Sequence, residues 1–330
     1  MLVGIDVGKD KLDVCYPDGK KETVKNNKSG RNKVIKKAKK LGAIVCFEPT
    51  GPYDEALAED CLAHDVKALR VDAWGARKFA QSQGRIEKTD NIDCEMIRDY
   101  AASLKDDKLH FVKPRSDAQK KLRNGVQARE ALLKARTLIG NQFESNLDPE
   151  TSRCLRNALA ALDRNIEKLE AECNATIASD PEMKELDRRF QAIKGVGPCL
   201  SRIVLAQCPD IGDFTPKGFA KLCGTAPLGN ESSTLKHKAR PRRGRSDLKE
   251  ALYMAAVSAA RYNHVLRTIY LRLLANGKPH KVALVAIARH IAILLNTIAR
   301  HPDFVPEQDP KDVAKAAARK GKPGRPSKAA

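Results

Sequence analysis

The amino-acid sequence predicts an α/β N-terminal domain built on a mixed sheet, followed by an α-helical coiled coil and a mostly α-helical C-terminal domain. Three observations carry this. Short apolar runs alternate with helical patterns over the first hundred residues. Two long stretches, 118–140 and 154–178, repeat apolar residues at three and four spacing, and the chain stays helical in period from 189 to about 300. The boundaries expected are 1–108 for the first domain, 109–188 for the connector, 189–302 for the second domain, and 303–330 for a basic, Ala-rich, disordered tail.

In the first domain, residues 2–7, 12–16 and 22–25 read as three strands in meander order, with Pro17-Asp18-Gly19 as the turn between the second and third. Ser29 is expected to cap a helix to Lys40. Residues 43–47 are a compact apolar run fit for a buried strand, 52–63 is helical, 66–71 is a further strand, and 90–103 closes the order βββαβαβα with a helix. In the connector, Leu155, Leu159, Leu162, Ile166 and Leu169 form one stripe, with Arg164, Lys168 and Glu172 off it. Two long antiparallel helices joined at Asn146-Leu-Asp-Pro149 follow, their stripe a seam for a partner or for self-association.

The 330 residues hold 61 Lys plus Arg against 41 Asp plus Glu, a net charge of +20. The excess is local: residues 189–330 carry 26 basic groups and 9 acidic ones. A surface so asymmetric recruits a polyanion through phosphate contacts and counterion release, although a solvated basic face is the plainer alternative. No run approaches the roughly 18 to 20 apolar residues of a membrane span, and the N-terminus has no signal-peptide pattern. Nine scattered Cys without a Cys-x-x-Cys pair read as reduced thiols in a cytoplasmic protein. The seven His have no ligand spacing.

Four carboxylates stand out. Asp6 sits in the apolar strand Val-Gly-Ile-Asp-Val-Gly-Lys, and Glu48 ends the apolar run Val-Cys-Phe-Glu. A bare carboxylate there is costly unless something pairs with it. Asp90 and Asp93, in Lys-Thr-Asp-Asn-Ile-Asp, are three apart at a helix start and share a face. Together the four could surround one or two hard divalent cations, the arrangement that polarises phosphodiesters. N-capping by Asp90 and ordinary solvation of the others is the competing explanation.

Further along, Gly195-Val-Gly197 reads either as a plain helix C-cap or as a turn offering N–H groups to phosphate. Gly229-Asn-Glu-Ser-Ser-Thr234 is a polar turn cluster. Behind it, Lys236, Lys238, Arg240, Arg242, Arg243 and Arg245 stand in a 14-residue stretch with seven basic groups and one acid. A serine hydroxyl needs a base or metal and a cationic cradle before it attacks a phosphate, and both ingredients are present in different domains. A Ser/Thr-rich loop before a DNA-binding segment is the commoner meaning. In the tail, Pro323-Gly-Arg-Pro326 looks like an AT-hook core, with a nonspecific basic tail equally open.

The Ile-Asp strand, Glu48-x-Thr-Gly51, Phe79-Ala-Gln-Ser-x-Gly84 and Lys88-Thr-Asp-x-x-Asp93 together resemble the transposases of the insertion-sequence 110 family, related to the Piv invertases. Phe190-Gln-Ala-Ile-Lys-Gly-Val-Gly197, the segment 214–227, Glu231-Ser232 and Ala251-Leu-Tyr-Met254 extend the resemblance over residues 1–300. Pro49 stands where the family commonly has Ala, and Ser233 where it has Gly after the serine, so two hydroxyls adjoin; the Glu-Ser order assigns Ser232. The resemblance implies a ribonuclease H-like, RuvC-like fold with Asp6, Glu48, Asp90 and Asp93 as a tetrad for Mg²⁺ or Mn²⁺. It also implies a helix-hairpin-helix turn at Gly195 and Gly197. Ser232 would be the nucleophile of a 5′-phosphoserine DNA recombination, guided by a noncoding bridge RNA. The protein would act on donor and target DNA in the nucleoid as a dimer or tetramer. Two rivals remain: a RuvC-like nuclease using water, and an actin-like nucleotide-binding module, which would need Asp210-Ile-Gly212 as its second phosphate turn.

Overall fold

The computed structural model describes residues 1–51, 53–84, 94–105, 109, 111–145, 148–231, 236–241 and 244–306. It divides into two compact units, Met1–Pro114 and Arg115–Ala330.

Unit one is a five-stranded mixed sheet. Strands β1 (Leu2–Val7), β2 (Lys11–Cys15) and β3 (Lys21–Lys25) form an antiparallel meander, while β4 (Ile44–Phe47) and β5 (Ala68–Arg70) run parallel beside β1, giving the order β3-β2-β1-β4-β5. Helices α1 (Lys28–Lys40) and α2 (Glu55–Ala63) supply Val34, Ile35, Ala38, Leu57 and Cys61 to a core with Val3, Ile5, Val45 and Phe47 of the sheet. Helix α3 (Ala73–Ser82) is followed, after the undescribed stretch 85–93, by α4 (Cys94–Ser103). The latter sets Ile97 and Ala101 against Cys46, Leu69 and Val71, so both faces are covered.

Gly4 makes this second layer possible. A Cβ there would lie 1.9 Å from the Cys94 carbonyl oxygen and 2.8 Å from the Arg98 nitrogen, so α4 rests directly on the backbone of β1.

Two details depart from the sequence reading. Helix α1 is capped by Asn27, whose side chain accepts from Gly30 N at 2.9 Å, and Ser29 lies inside its first turn. Asn and Ser are equivalent caps by propensity, so the sequence offers both. The element order also gains α3, a helix held through Ala76 and Phe79.

Unit two opens with α5 (Asp117–Glu144) and α6 (Pro149–Ser179), which pack against each other as a long pair; at about 1.5 Å per residue each exceeds 40 Å. Ser116 and Gln119 form a capping box on α5, and Asp148 with Pro149 starts α6. The stripe read as a seam is filled within the chain for its part. Ile166 is buried and Leu155, Leu159, Leu162 and Leu169 are half-buried, in a helix whose main neighbour is α5. Arg129 with Glu170 and Arg136 with Asp163 cross-link the pair.

Leu122, Val126, Cys173 and Ile177 continue into one core with α7 (Pro181–Gln191), α8 (Pro198–Gln207), α9 (Pro216–Leu222), α10 (Ser246–Tyr262), α11 (His264–Ala275) and α12 (His280–Arg300). Helix α12 is long and apolar enough, by length and composition alone, to cross a membrane. The sequence reading passes over it because Arg289 and His290 interrupt the run. Here Ile287, Ala288, Ile291, Ala292, Leu295 and Ile298 are core residues of the unit, which accounts for its apolarity.

This unit is not wholly helical: β6 (Pro227–Glu231) and β7 (Lys236–Pro241) pair as an antiparallel hairpin. Neither strand alternates apolar and polar residues, so the signal that reveals a strand is absent and only the backbone ladder defines it. The nine cysteines are free thiols, seven of them buried.

Candidate active site and nucleic-acid interface

Adjacent parallel strands bring two of the predicted carboxylates together. The register pairs Gly4 with Cys46 and Ile5 with Phe47, so Asp6 and Glu48 come next at the same ends of β1 and β4. Parallel neighbours are about 4.8 Å apart, and residues matched in register share a face. On that face Gly4 and Cys46 already touch α4. Cys94, the residue after Asp93, has its carbonyl against Gly4, two positions before Asp6.

The turn after Glu48 is built to hold it. Thr50 Oγ1 donates to the Glu48 carbonyl oxygen at 3.0 Å, Gly51 adopts a left-handed φ of 72°, and Thr50 N donates to Asp54 Oδ1 at 3.1 Å. Asp54 is 2 % exposed and receives Arg70 Nε at 2.9 Å, while the other end of the same guanidinium meets Glu55 at 2.9 Å. Glu-x-Thr-Gly thus opens a hydrogen-bonded turn after β4.

Burial raises the Glu48 pKa, the charges of Asp6 and Asp72 raise it further, and Arg77 opposes them. Two residues that sequence reasoning missed therefore belong to the neighbourhood. Asp72 follows β5 and caps α3, accepting from Gly75 N at 3.2 Å; Arg77 lies one turn on. The pattern could have revealed Asp72, because Val71-Asp72 repeats the apolar-then-acid endings Ile5-Asp6 and Phe47-Glu48.

Among the described residues no group of three His, Cys, Asp or Glu side chains is close enough to hold a metal ion. Asp90 and Asp93 lie outside the described residues, as do Ser232, Arg242 and Arg243 and the tail from 307 onward. Asp6 and Glu48 fit a hard cation by their chemistry: two carboxylates, one with its ionised form disfavoured by the other, lose that repulsion when a divalent ion sits between them.

That repulsion has a measurable sign. The folded chain holds the Glu48 proton to higher pH than the unfolded chain does, so above the ordinary glutamate range its ionisation works against folding. Glu48→Gln is expected to raise the melting temperature of the metal-free protein at neutral pH. The gain should vanish towards about pH 4, where the wild-type carboxyl becomes protonated in both states. Thermal melts across that range in chelator check this; a variant no more stable than wild type at neutral pH contradicts it.

In unit two, Glu231 pairs with Lys236 across the hairpin, so residues 232–235, Ser232 and Ser233 among them, join β6 to β7. Lys236, Lys238 and Arg240 occupy alternate positions of β7. The hairpin's base is fixed by Gly244, with φ of 90°, where a Cβ would stand 2.2 Å from Gly224 N. A groove of about 630 Å³ opens beside it, lined by Gly224, Thr225, Gly244, Ser246, Tyr253 and Met254. The Ala251-Leu-Tyr-Met254 segment thus contributes its last two residues to that groove.

Arg245 has a different role from its basic neighbours. Its guanidinium donates to the Gln207 carbonyl at the end of α8 and its backbone N to the Leu222 carbonyl at 3.3 Å, so it ties α10 to α8 and α9. Gly195 and Gly197 also separate. Gly195 has φ of 108° and a Cβ there would lie 2.6 Å from Ala259 Cβ on α10, which is a packing requirement. Gly197 is exposed at the N-cap of α8 with nothing within 4 Å of its missing Cβ. Helix α8 starts with Pro198, which supplies no N–H, so any anion at this helix start would meet the donors of the following residues. Asp210-Ile-Gly212 is no phosphate turn: Gly212 N donates to Asn296 Oδ1 at 3.0 Å and its Cβ position faces Ala299 and Arg300 of α12.

The class of protein, a transposase, is given by comparison with known sequences. A sequence model described as "Transposase", of the DEDD type of IS110, matches residues 3–150, and "Transposase IS116/IS110/IS902 family" matches 187–271. The pilin gene-inverting protein of Moraxella bovis is 26% identical over 320 residues, covering 90% of this chain and 95% of its own, and that of Moraxella lacunata matches to the same extent. An insertion element IS110 protein of Streptomyces coelicolor is 30% identical over 165 residues, 49% of this chain and 40% of its own. The chain belongs to the IS110 family of transposases.

Proposed function

We propose that this transposase cuts and rejoins DNA with Ser232 as nucleophile, assisted by a divalent cation on Asp6, Glu48, Asp90 and Asp93. The observation that carries the reading is the register of β1 and β4, which sets Asp6 beside Glu48 in a chain of this family. The strand order β3-β2-β1-β4-β5, antiparallel on one side of β1 and parallel on the other, supports a ribonuclease H-like, RuvC-like assignment of unit one. Mg²⁺ or Mn²⁺ bound by the tetrad would supply Lewis-acid polarisation of the scissile phosphate.

In the reaction the Ser232 Oγ–P bond forms and the P–O3′ bond breaks. The serine proton is lost, the departing 3′ oxygen gains one, and a 5′-phosphoserine remains. Attack by the 3′-hydroxyl of another strand reverses these events on a new partner, so no external energy source is needed. Lys236, Lys238, Arg240, Arg242 and Arg243 offset the phosphate charge, and the N–H groups that follow Pro198 at the start of α8 hold a flanking phosphate. The same basic surface suits a bridge RNA that selects donor and target, and the reading includes a dimer or tetramer acting in the cytoplasm.

The test uses the full chain, Mg²⁺, a supercoiled plasmid carrying the element's junction and target, and RNA transcribed from the flanking noncoding DNA. Recombined plasmid that depends on that RNA is expected. Recombination without RNA removes the guide from the reading, and nicked plasmid with free 5′ phosphate replaces recombination by the water-using nuclease.

A further inference from the structure

Helix α3 presents an aromatic and basic side to the surface. One side of it is fastened down. Ala76 is fully buried, the Phe79 ring lies 5.8 Å from that of Tyr100 on α4, and a Cβ on Gly75 would stand 1.9 Å from the Tyr100 hydroxyl. The other side, spaced at i, i+3, i+4 and i+7, is Trp74, Arg77, Lys78 and Gln81, all exposed. Trp74 is the chain's only tryptophan and is 44% exposed; the Lys78 ammonium lies 5.8 Å from its ring centroid. The indole thus keeps close to half of its surface open, beside the Lys78 ammonium.

Its position is informative. Val71 N donates to the Phe47 carbonyl at 3.0 Å, so the start of α3 lies at the same end of the sheet as Glu48. In open α/β sheets that carboxyl end is where ligands bind. Arg77 is close enough for its charge to be felt at Glu48. A phosphodiester brought to Asp6 and Glu48 meets repulsion from those acids, and exposed cations on the adjoining helix offset it. Strand exchange also leaves bases unpaired next to the cut. A flat, exposed indole flanked by cations is the platform on which an unpaired base stacks, tolerant of sequence because every base has a π-face.

We propose that Trp74 stacks on an unpaired DNA base beside the scissile phosphate while Arg77 and Lys78 contact the neighbouring phosphates. This rests on the reading of Asp6 and Glu48 as the cleavage centre. Trp74 is a positioning residue: it touches the strand and fixes its register without touching the reacting atoms.

Because there is one tryptophan, its emission reports on this residue alone. The full chain is titrated in chelator with fluorescein-labelled thymidine and uridine oligonucleotides of about 20 nucleotides, longer than a typical single-strand site. Anisotropy follows binding and tryptophan emission follows stacking. Thymidine oligomer at saturation is expected to quench Trp74. Trp74→Ala should weaken its binding about ten- to hundred-fold, with Trp74→Phe restoring most of the loss. Circular dichroism should show both variants folded, since the side chain is exposed. Unchanged emission at saturating anisotropy, unaltered affinity of Trp74→Ala, or quenching by the uridine oligomer alone would each overturn the proposal. Its failure is separable from that of the parent reading: loss of Mg²⁺-dependent cleavage in Asp6→Asn sustains the cleavage centre whatever Trp74 does, and persistence of cleavage in that variant removes both.

Discussion

Asp6→Asn is expected to abolish Mg²⁺-dependent strand cleavage while leaving the fold and nucleic-acid binding near wild type. The amide keeps the shape of the side chain at the end of β1 but loses the ionised oxygen that a hard cation requires. If the cation contributes several kcal/mol to the transition state, cleavage falls on the order of 10³-fold. Binding rests elsewhere, on the excess of 26 basic over 9 acidic groups in residues 189–330. Burial is the main cause that raises the Glu48 pKa and the charge of Asp6 adds to it, so removing that charge lessens the penalty on Glu48 ionisation. Plasmid cleavage, filter binding and a thermal melt on one preparation check all three parts. Cleavage retained at more than a few per cent, with binding intact, would remove the strand-end carboxylates from the chemistry. A fall in binding equal to the fall in cleavage would instead make Asp6 a residue of the fold or of the nucleic-acid site.

What could be read from the sequence followed the strength of local patterns. The apolar runs of β1 and β4 carry Asp6 and Glu48, and with Asp90 and Asp93 they were legible in the sequence as a candidate set of four carboxylates. The sheet's parallel register, which makes Asp6 and Glu48 neighbours, comes from long-range pairing of residue 5 with residue 47, and no window of sequence contains it. Gly4 was silent for the same reason: its meaning is the Cys94 carbonyl ninety residues on. Arg245 was read with the other basic residues because charge in sequence carries no information on partners. In the fold its guanidinium belongs to the Gln207 carbonyl. Gly195 and Gly197 looked like one motif, yet one is required by Ala259 and the other is open at a helix start. Helix α3 was not read although Ala73, Ala76 and Ala80 recur at three and four spacing, with Phe79 beside them.

Ser232→Ala is expected to bind DNA and metal as wild type does and yet form no covalent protein–DNA adduct, a loss of the whole signal. Asp6 and Glu48 and their neighbours Asp72 and Arg77 include no group able to attack phosphorus and remain attached as an alcohol ester, so the nucleophile must come from elsewhere or be water. The connection between β6 and β7 holds two adjacent hydroxyls, Ser232 and Ser233, next to the strand that carries Lys236, Lys238 and Arg240. The hairpin is anchored at its base by the Gly224–Gly244 contact, so a change at its far end should not disturb the core. Truncation to Ala removes one oxygen and leaves every cation in place, which is why binding should survive. The measurement is denaturing electrophoresis of end-labelled junction DNA after reaction with Mg²⁺, run for wild type, Ser232→Ala and Ser233→Ala. Wild type and Ser233→Ala should shift the label into a protein-sized band that protease removes, whereas Ser232→Ala should give intact DNA. A wild type that yields nicked DNA with no protein attached would hand the reaction to water, and the basic hairpin would become a phosphate grip. An adduct lost in Ser233→Ala and kept in Ser232→Ala would move the nucleophile by one residue while leaving the carboxylate centre untouched.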